Sequence, residues 1–168
     1  MVTALRAAAS NQTGMNIVTL RTRLSLAVGA ALMATLSFAQ APIEMKAVTN
    51  DDGTMSYDKK ELTVKAGETV TIKFTNPDTA QHNFLLAQPG SMKIIGAAAD
   101  KFVRDDEGED VNYVPKLPQI IYAAPVLEPK KTTTFSFKAP ATPAQYVIIC
   151  TFPGHWKTMN AVLNVVAK

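Results

Sequence analysis

Near its C-terminus the chain reads Cys150-Thr151-Phe152-Pro153-Gly154-His155-Trp156-Lys157-Thr158-Met159. This stretch brings a thiol, an imidazole and a thioether together in the spacing Cys-x4-His-x3-Met. A single buried Cys or Met is ordinarily an inert apolar side chain. Here the two sulfur groups flank a histidine and a Pro-Gly turn, and that combination favours a metal-binding loop.

The chain has only one further histidine, His82, in the segment Gln81-His82-Asn83 beside a predicted strand. A thiolate and two imidazoles in a trigonal plane, with a distant axial methionine, form a blue-copper electron-transfer site. This set uses every Cys and His in the 168 residues. The residue types therefore predict one copper ion bound by His82, Cys150, His155 and Met159.

Short strands separated by turns dominate the chain after residue 60. Residues 69–76 alternate, with Val70, Ile72 and Phe74 on one face, which is the period of a half-buried strand. The same criteria predict strands at residues 61–65, 69–76, 83–86, 120–123, 132–138, 146–150 and 162–166. The Pro, Gly, Asn and Asp turns between them favour an all-β sandwich or barrel.

Residues 88–118 differ from this pattern. Residues 91–102 favour a short helix with Ser91 as its N-cap. Residues 105–110 form an acidic turn that contains Gly108. We interpret this turn as a solvated loop, with a calcium or partner site as the alternative, because its spacing does not match an EF-hand.

The C-terminal motif, taken together with His82-Asn83, resembles the copper-binding signature of cupredoxins, in the azurin and auracyanin branch of the plastocyanin/azurin family. The resemblance covers residues 43–168. It implies an all-β fold, a Greek-key β-sandwich of about eight strands with a short helical flap. It also implies one type 1 copper ion as the cofactor.

The resemblance further assigns roles to residues around the ligands. It implies that Asn83 ties the two ligand loops together by hydrogen bonds, and that the backbone N–H of Phe152 donates to the ligand sulfur. It places His155 at the surface, inside an apolar docking patch of Phe152, Pro153 and Trp156. The alternative for Trp156 is a lid folded over the end of the sandwich.

The chain departs from azurins at three places. It has one Cys, so the azurin disulfide near the N-terminus is absent. Gln81 stands where azurins have Gly, which leaves open a weak contact between the Gln81 backbone and the metal. Asn160-Ala161 follows Met159 in place of Lys-Gly. None of these changes removes a ligand.

The first 39 residues have the composition of an export signal. Their only charges are three Arg, residues 24–36 are apolar, and small residues in Ser37-Phe38-Ala39 precede Gln40. The apolar run is short for a membrane span, although an uncleaved N-terminal anchor is the alternative. We predict a signal peptide at residues 1–39, with Met15 as an alternative start, and a single cupredoxin domain at residues 40–168.

Charge and ligand counts exclude several classes of function. The whole chain has a net charge of +3, but without residues 1–39 it has 14 basic and 14 acidic residues. This charge balance gives no support for nucleic-acid binding, which requires a basic patch. Two His and one Cys cannot build the additional copper sites of a copper oxidase or nitrite reductase. We therefore predict no enzymatic activity and no small-molecule substrate.

The predicted function is transfer of one electron through a mononuclear type 1 Cu(II)/Cu(I) site. Its partners would be donor and acceptor redox proteins, and it would meet membranes only by transient docking to membrane complexes. The signal predicts export, to the periplasm in the first instance, with an extracellular or N-terminally anchored protein as alternatives. A copper storage or delivery protein with the same ligands is the alternative function.

Overall fold

The computed structural model of the chain describes residues 40–104 and 108–168. The predicted signal peptide at residues 1–39, the alternative start at Met15 and the first half of the acidic turn, residues 105–107, lie outside the described residues. Among the described residues, no helix has the length and apolar character needed to cross a membrane.

The described residues form two β-sheets and one short helix. In chain order the strands are β1 (Ile43–Thr49), β2 (Met55–Tyr57), β3 (Glu61–Lys65), β4 (Thr69–Asn76), β5 (His82–Ala87), β6 (Ile120–Leu127), β7 (Lys131–Lys138), β8 (Ala144–Ile149) and β9 (Asn160–Val166). Helix α1 (Met92–Ala99) and a 3-10 turn (Asp100–Val103) lie between β5 and β6. One sheet has the order β2-β1-β4-β7 and the other has the order β3-β9-β8-β5-β6.

Strand β5 is buried along its whole length because both of its faces are covered. Phe84 and Leu86 point into the main core between the sheets. Leu85 and Ala87 point the other way and pack in a second cluster with Ile95 of α1. Strand β5 therefore reads as a continuous apolar run, and α1 closes the outer face of the five-stranded sheet.

The strand pairing places the predicted ligands at one end of this sheet. Strand β5 runs antiparallel to β8, and β8 runs antiparallel to β9. The start of β5, the end of β8 and the start of β9 therefore lie at the same end of the sheet. His82 begins β5, Cys150 follows β8, and Met159 precedes β9.

The prediction of an all-β sandwich is confirmed, with nine strands among the described residues. Strands β3 and β4 have the predicted bounds. The sequence pattern missed β1 and β2, since β1 contains Met, Ala, Glu and Lys, which have low strand propensity.

The helix also differs from its prediction. It ends at Ala99 and continues only as the 3-10 turn, which reaches Val103. Ser91 occupies the N-cap position, as predicted, but its hydroxyl donates to the backbone carbonyl of Gln88 and caps no helical N–H.

Candidate metal centre

Two imidazoles and one thiol meet at this end of the five-stranded sheet. The ligand atoms of His82, Cys150 and His155 all lie within 4.8 Å of one another. The sulfur of Cys150 is 3.8 Å from Nδ1 of His155. The centroids of the two imidazole rings are 4.9 Å apart. Residues separated by most of the domain in sequence therefore surround a single point.

His82 is positioned by a rigid turn before β5. The side-chain amide of Asn76, which ends β4 and is fully buried, donates to backbone carbonyls at Ala80, Leu127 and Glu128 over 2.8, 3.1 and 3.2 Å. The Asn76 side-chain oxygen accepts the backbone N–H of Asp78 at 3.0 Å. The turn is thus tied to the neighbouring β6–β7 connection, and the start of β5 has little freedom.

Asn83 links the His82 strand to the Cys150 loop. Its side-chain oxygen accepts the backbone N–H of Thr151 at 2.8 Å, and its amide donates to the Thr151 hydroxyl at 3.0 Å. The Thr151 hydroxyl in turn donates to the backbone carbonyl of Tyr113 at 2.6 Å. Both Asn83 and Thr151 are buried. Three segments that are distant in sequence are therefore joined beside the ligands.

The loop from Cys150 to Met159 is closed by its own backbone. The N–H of Cys150 donates to the carbonyl of Met159 at 3.0 Å, and the N–H of Met159 donates to the carbonyl of His155 at 2.8 Å. Gly154 has φ +83, a conformation that side-chain-bearing residues rarely adopt. Met159 is fully buried in the same core cluster as Cys150. The predicted axial ligand thus lies inside the sandwich, directly beyond the end of the loop.

Trp156 packs onto helix α1. A Cβ atom added at Gly96 would lie 2.3 Å from the indole ring, so only glycine leaves room for it. The indole N–H donates to Oδ1 of Asp100 at 2.7 Å. Trp156 is therefore half-buried against the outer face of the five-stranded sheet, and both its docking role and the lid alternative stay predictions. Phe152 and Pro153 are half-buried within the Cys150–Met159 loop, and the centroid of the Phe152 ring lies 5.0 Å from that of the His155 ring.

Burial controls the protonation of the ligands. It raises the pKa of the Cys150 thiol to about 12, against smaller opposing effects of backbone hydrogen bonds from Asn83 and Phe152. Burial, followed by the nearby His82, lowers the pKa of His155 to about 4. Burial also lowers the pKa of His82, partly offset by Asp78. Both imidazoles are therefore neutral at pH 7, and a bound cation would take the place of the thiol proton.

The donor set fits a soft or borderline metal ion. Both ring nitrogens of His82 are buried and have no hydrogen-bond partner. A buried polar atom without a partner costs about 1–3 kcal/mol, and a coordinate bond would supply the missing partner. Two imidazoles and a thiolate suit copper, and also zinc. The residues present therefore fit a copper ion at this point.

Several residues that make contacts at the site are not marked by any pattern in the sequence. No motif or spacing in the sequence assigns a functional role to Asp78, Thr151 or Tyr113. Gln81 uses its side chain to donate to the Glu128 carboxylate at 2.7 Å, and a contact between its backbone and the metal stays a prediction.

Comparison with known proteins agrees with this geometry. A family model described as copper binding proteins, plastocyanin/azurin family, matches residues 43–166. Auracyanin-A of Chloroflexus aurantiacus is 37% identical over 113 residues, which cover 66% of this chain and 67% of that protein. Azurin-1 of Alcaligenes xylosoxydans xylosoxydans is 32% identical over 128 residues, covering 71% of this chain and 95% of that protein.

A solved structure of a copper protein also resembles this chain. Auracyanin A of Chloroflexus aurantiacus, described as a "blue" copper protein, superposes with a TM-score of 0.62 at 34% identity. The match covers 75% of this chain and 100% of that one. The copper-type donor set, the sandwich and the sequence similarity lead to one conclusion: this chain belongs to the plastocyanin/azurin family of copper-binding proteins.

Proposed function

We propose that this protein is an exported electron carrier, with no enzymatic activity, in which His82, Cys150 and His155 bind one copper ion and Met159 is the weak axial ligand. The observation that carries the proposal is the convergence of three ligand atoms within 4.8 Å at one end of the sandwich. The auracyanin and azurin similarity supports copper as the ion.

The protein's contribution is to hold its ligands still. Copper supplies a one-electron Cu(II)/Cu(I) couple when bound. The chain fixes the donors through the Asn83–Thr151 hydrogen bonds and the closed Cys150–Met159 loop. His82, Cys150 and Met159 are 0% exposed, so water is kept away from three of the four donors. A site that moves little between oxidation states exchanges electrons with a small barrier.

His155 is the proposed exit for the electron. It is only partly buried, unlike the other ligands. Phe152 and Pro153 flank it and, with the outer edge of Trp156, form the proposed docking patch for redox partner proteins. Docking predicts that Trp156→Ala slows electron exchange with a partner, whereas Trp156→Phe, which keeps an apolar surface, does not. Equal exchange rates in both variants and the wild type would remove Trp156 from the patch.

The location proposed for this carrier is outside the cytoplasm. Residues 1–39 have the charge and apolar pattern of an export signal. The periplasm is the compartment we propose.

The ligand assignment is tested by spectroscopy of the protein loaded with Cu(II). We expect an intense charge-transfer band in the red region that Cys150→Ser abolishes, because the band requires a thiolate bound to copper. Thr158→Ala, at an exposed position of the same loop, is the matched control and should keep the band. A wild-type protein without this band would contradict the proposed site.

The delivery alternative makes a different demand on the site. A delivery protein must expose its ligands so that an acceptor can attack the metal, yet His82 and Cys150 are fully buried. Burial therefore favours the electron carrier. Mixing the copper-loaded protein with a competing chelator separates the two functions, since a carrier should release copper slowly while it exchanges electrons quickly.

A further inference from the structure

A buried carboxylate faces the ligand histidine of β5. Oδ2 of Asp78 lies 3.7 Å from Nε2 of His82, and the two side chains are 6% and 0% exposed. Asp78 precedes His82 by four residues, in the turn between β4 and β5. An ionised carboxylate at such a depth costs free energy unless it has partners.

The carboxylate of Asp78 is held in one orientation. The hydroxyl of Thr49, at the end of β1, donates to Oδ2, and the backbone N–H of Thr79 donates to Oδ1. The backbone N–H of Asp78 is itself held by Asn76. These donors stabilise the ionised form and hold Oδ2, the oxygen that also accepts from Thr49, towards the imidazole. The turn itself is fixed by the Asn76 amide.

The two unpartnered nitrogens of His82 fit this arrangement. The gap of 3.7 Å between Nε2 and the carboxylate is longer than a hydrogen bond, so both nitrogens are without partners in this geometry. A small rotation of the ring closes the gap to Asp78 and leaves Nδ1 for a metal. Ligand histidines commonly donate their second ring N–H to a carboxylate, which sets the tautomer and orients the ring.

We propose that Asp78 is a positioning residue for the copper site: its carboxylate accepts the Nε2–H of His82, directs Nδ1 to the metal, and favours Cu(II) over Cu(I) by its negative charge. The inference rests on the proposed ligand role of His82. A negative charge close to the metal stabilises the more positive oxidation state by Coulomb attraction, which is strengthened in a buried setting.

Two substitutions separate the hydrogen bond from the charge. Asp78→Asn keeps an oxygen acceptor but removes the charge, and Asp78→Ala removes both. We expect Asp78→Asn to reduce the preference for Cu(II) over Cu(I) about tenfold, a rise of about 59 mV in the one-electron reduction potential. We expect Asp78→Ala to raise the potential as well and, in addition, to weaken the affinity for both ions.

The matched control is Asp58→Asn. Asp58 is exposed, and its carboxylate also accepts a backbone N–H, from Lys46 at 2.7 Å. The Asp58→Asn substitution removes the same charge from the chain, at a position where water screens that charge. The potential of this variant should equal that of the wild type. A potential that rises equally in Asp58→Asn and Asp78→Asn would overturn the proposal, because the effect would then be one of net charge alone.

A second measurement needs no copper. Nitrogen-15 NMR of the wild-type apoprotein at neutral pH should show the His82 proton on Nε2, with Nδ1 unprotonated. A proton on Nδ1 would overturn the proposal. Asp78→Ala should lose this strong tautomer preference, while thermal unfolding of the apoprotein reports whether the variant remains folded.

The outcomes distinguish this inference from the proposed function. A wild-type protein with no thiolate-to-copper band refutes the function, whatever the potentials are. A wild-type protein with that band, whose potential is unchanged in Asp78→Asn, refutes only the role of Asp78. A raised potential in Asp78→Asn, an unchanged one in Asp58→Asn and an Nε2-protonated His82 together establish it.

Discussion

The two histidines of the centre are held by different parts of the molecule. His82 begins a strand, is 0% exposed, and stands on a turn fixed by the buried amide of Asn76. His155 lies in a loop, is partly exposed, and is followed by Trp156, which is held against α1. One histidine is therefore fixed by the sandwich itself, and the other by a loop that packs against a helix. The site therefore has a buried side at His82 and a side at His155 that is partly accessible to solvent.

The sharpest test of this comparison is removal of each imidazole. We expect His82→Gly and His155→Gly both to abolish the charge-transfer band with Cu(II). Free imidazole should restore the band in His155→Gly, because that position opens to solvent, and should fail in His82→Gly, because the cavity is enclosed. Visible absorption at increasing imidazole concentration measures this. Equal restoration in both variants would show that the two sides are equally accessible.

The hydrogen bonds between Asn83 and Thr151 join the two sides of the centre, and their removal is expected to have the next largest effect. Asn83→Ala removes the acceptor for the Thr151 N–H and leaves that buried group without a partner. We expect unfolding to require about 2–4 kcal/mol less free energy, since two or more buried hydrogen bonds are lost. Chemical denaturation of the apoprotein measures the change. Asn164→Ala, at a position whose side chain bonds only to other surface groups, is the control and should cost less than about 0.5 kcal/mol.

On the His155 side, the packing of Trp156 against α1 depends on the absence of a side chain at Gly96. Gly96→Ala places a methyl group against the Trp156 ring, so the ring or the helix must move. We expect a loss of about 1–2 kcal/mol in the free energy of unfolding, even though alanine favours the helix by about 1 kcal/mol. Ala97→Gly, at an exposed position of the same helix, calibrates this propensity effect. A Gly96→Ala protein that is more stable than the wild type would contradict the close packing.

The smallest effect is expected from the indole hydrogen bond alone. Asp100→Ala keeps the indole ring against Gly96 but removes the carboxylate that accepts the indole N–H. Because Asp100 is only partly buried, water can replace the lost acceptor, and we expect a loss of about 1 kcal/mol. Denaturation of Trp156→Phe and Asp100→Ala, singly and together, measures the coupling between them. Additive losses would show that the contact contributes no energy of its own.

The candidate metal-binding residues and most strands could be predicted from local patterns. The strands at residues 61–65 and 69–76 could be predicted because the alternation of apolar and polar residues involves neighbours in the chain. The segment Cys150–Met159 indicated copper because its donor types are rare and closely spaced. The pattern failed at β1, whose side chains are weak strand formers, and which forms a strand only because it pairs with β2 and β4. Propensity is local, whereas pairing is not.

By itself, the sequence determined which residue types were available to a metal and in which order the strands would come. Only the tertiary structure decided that Asp78 faces His82, that Asn83 bonds to Thr151, and that Trp156 lies on Gly96. These contacts join segments that lie apart along the chain or, for Asp78, depend on how a turn is anchored by a distant strand. Their geometry follows from strand pairing and core packing, which act between residues that no local pattern connects.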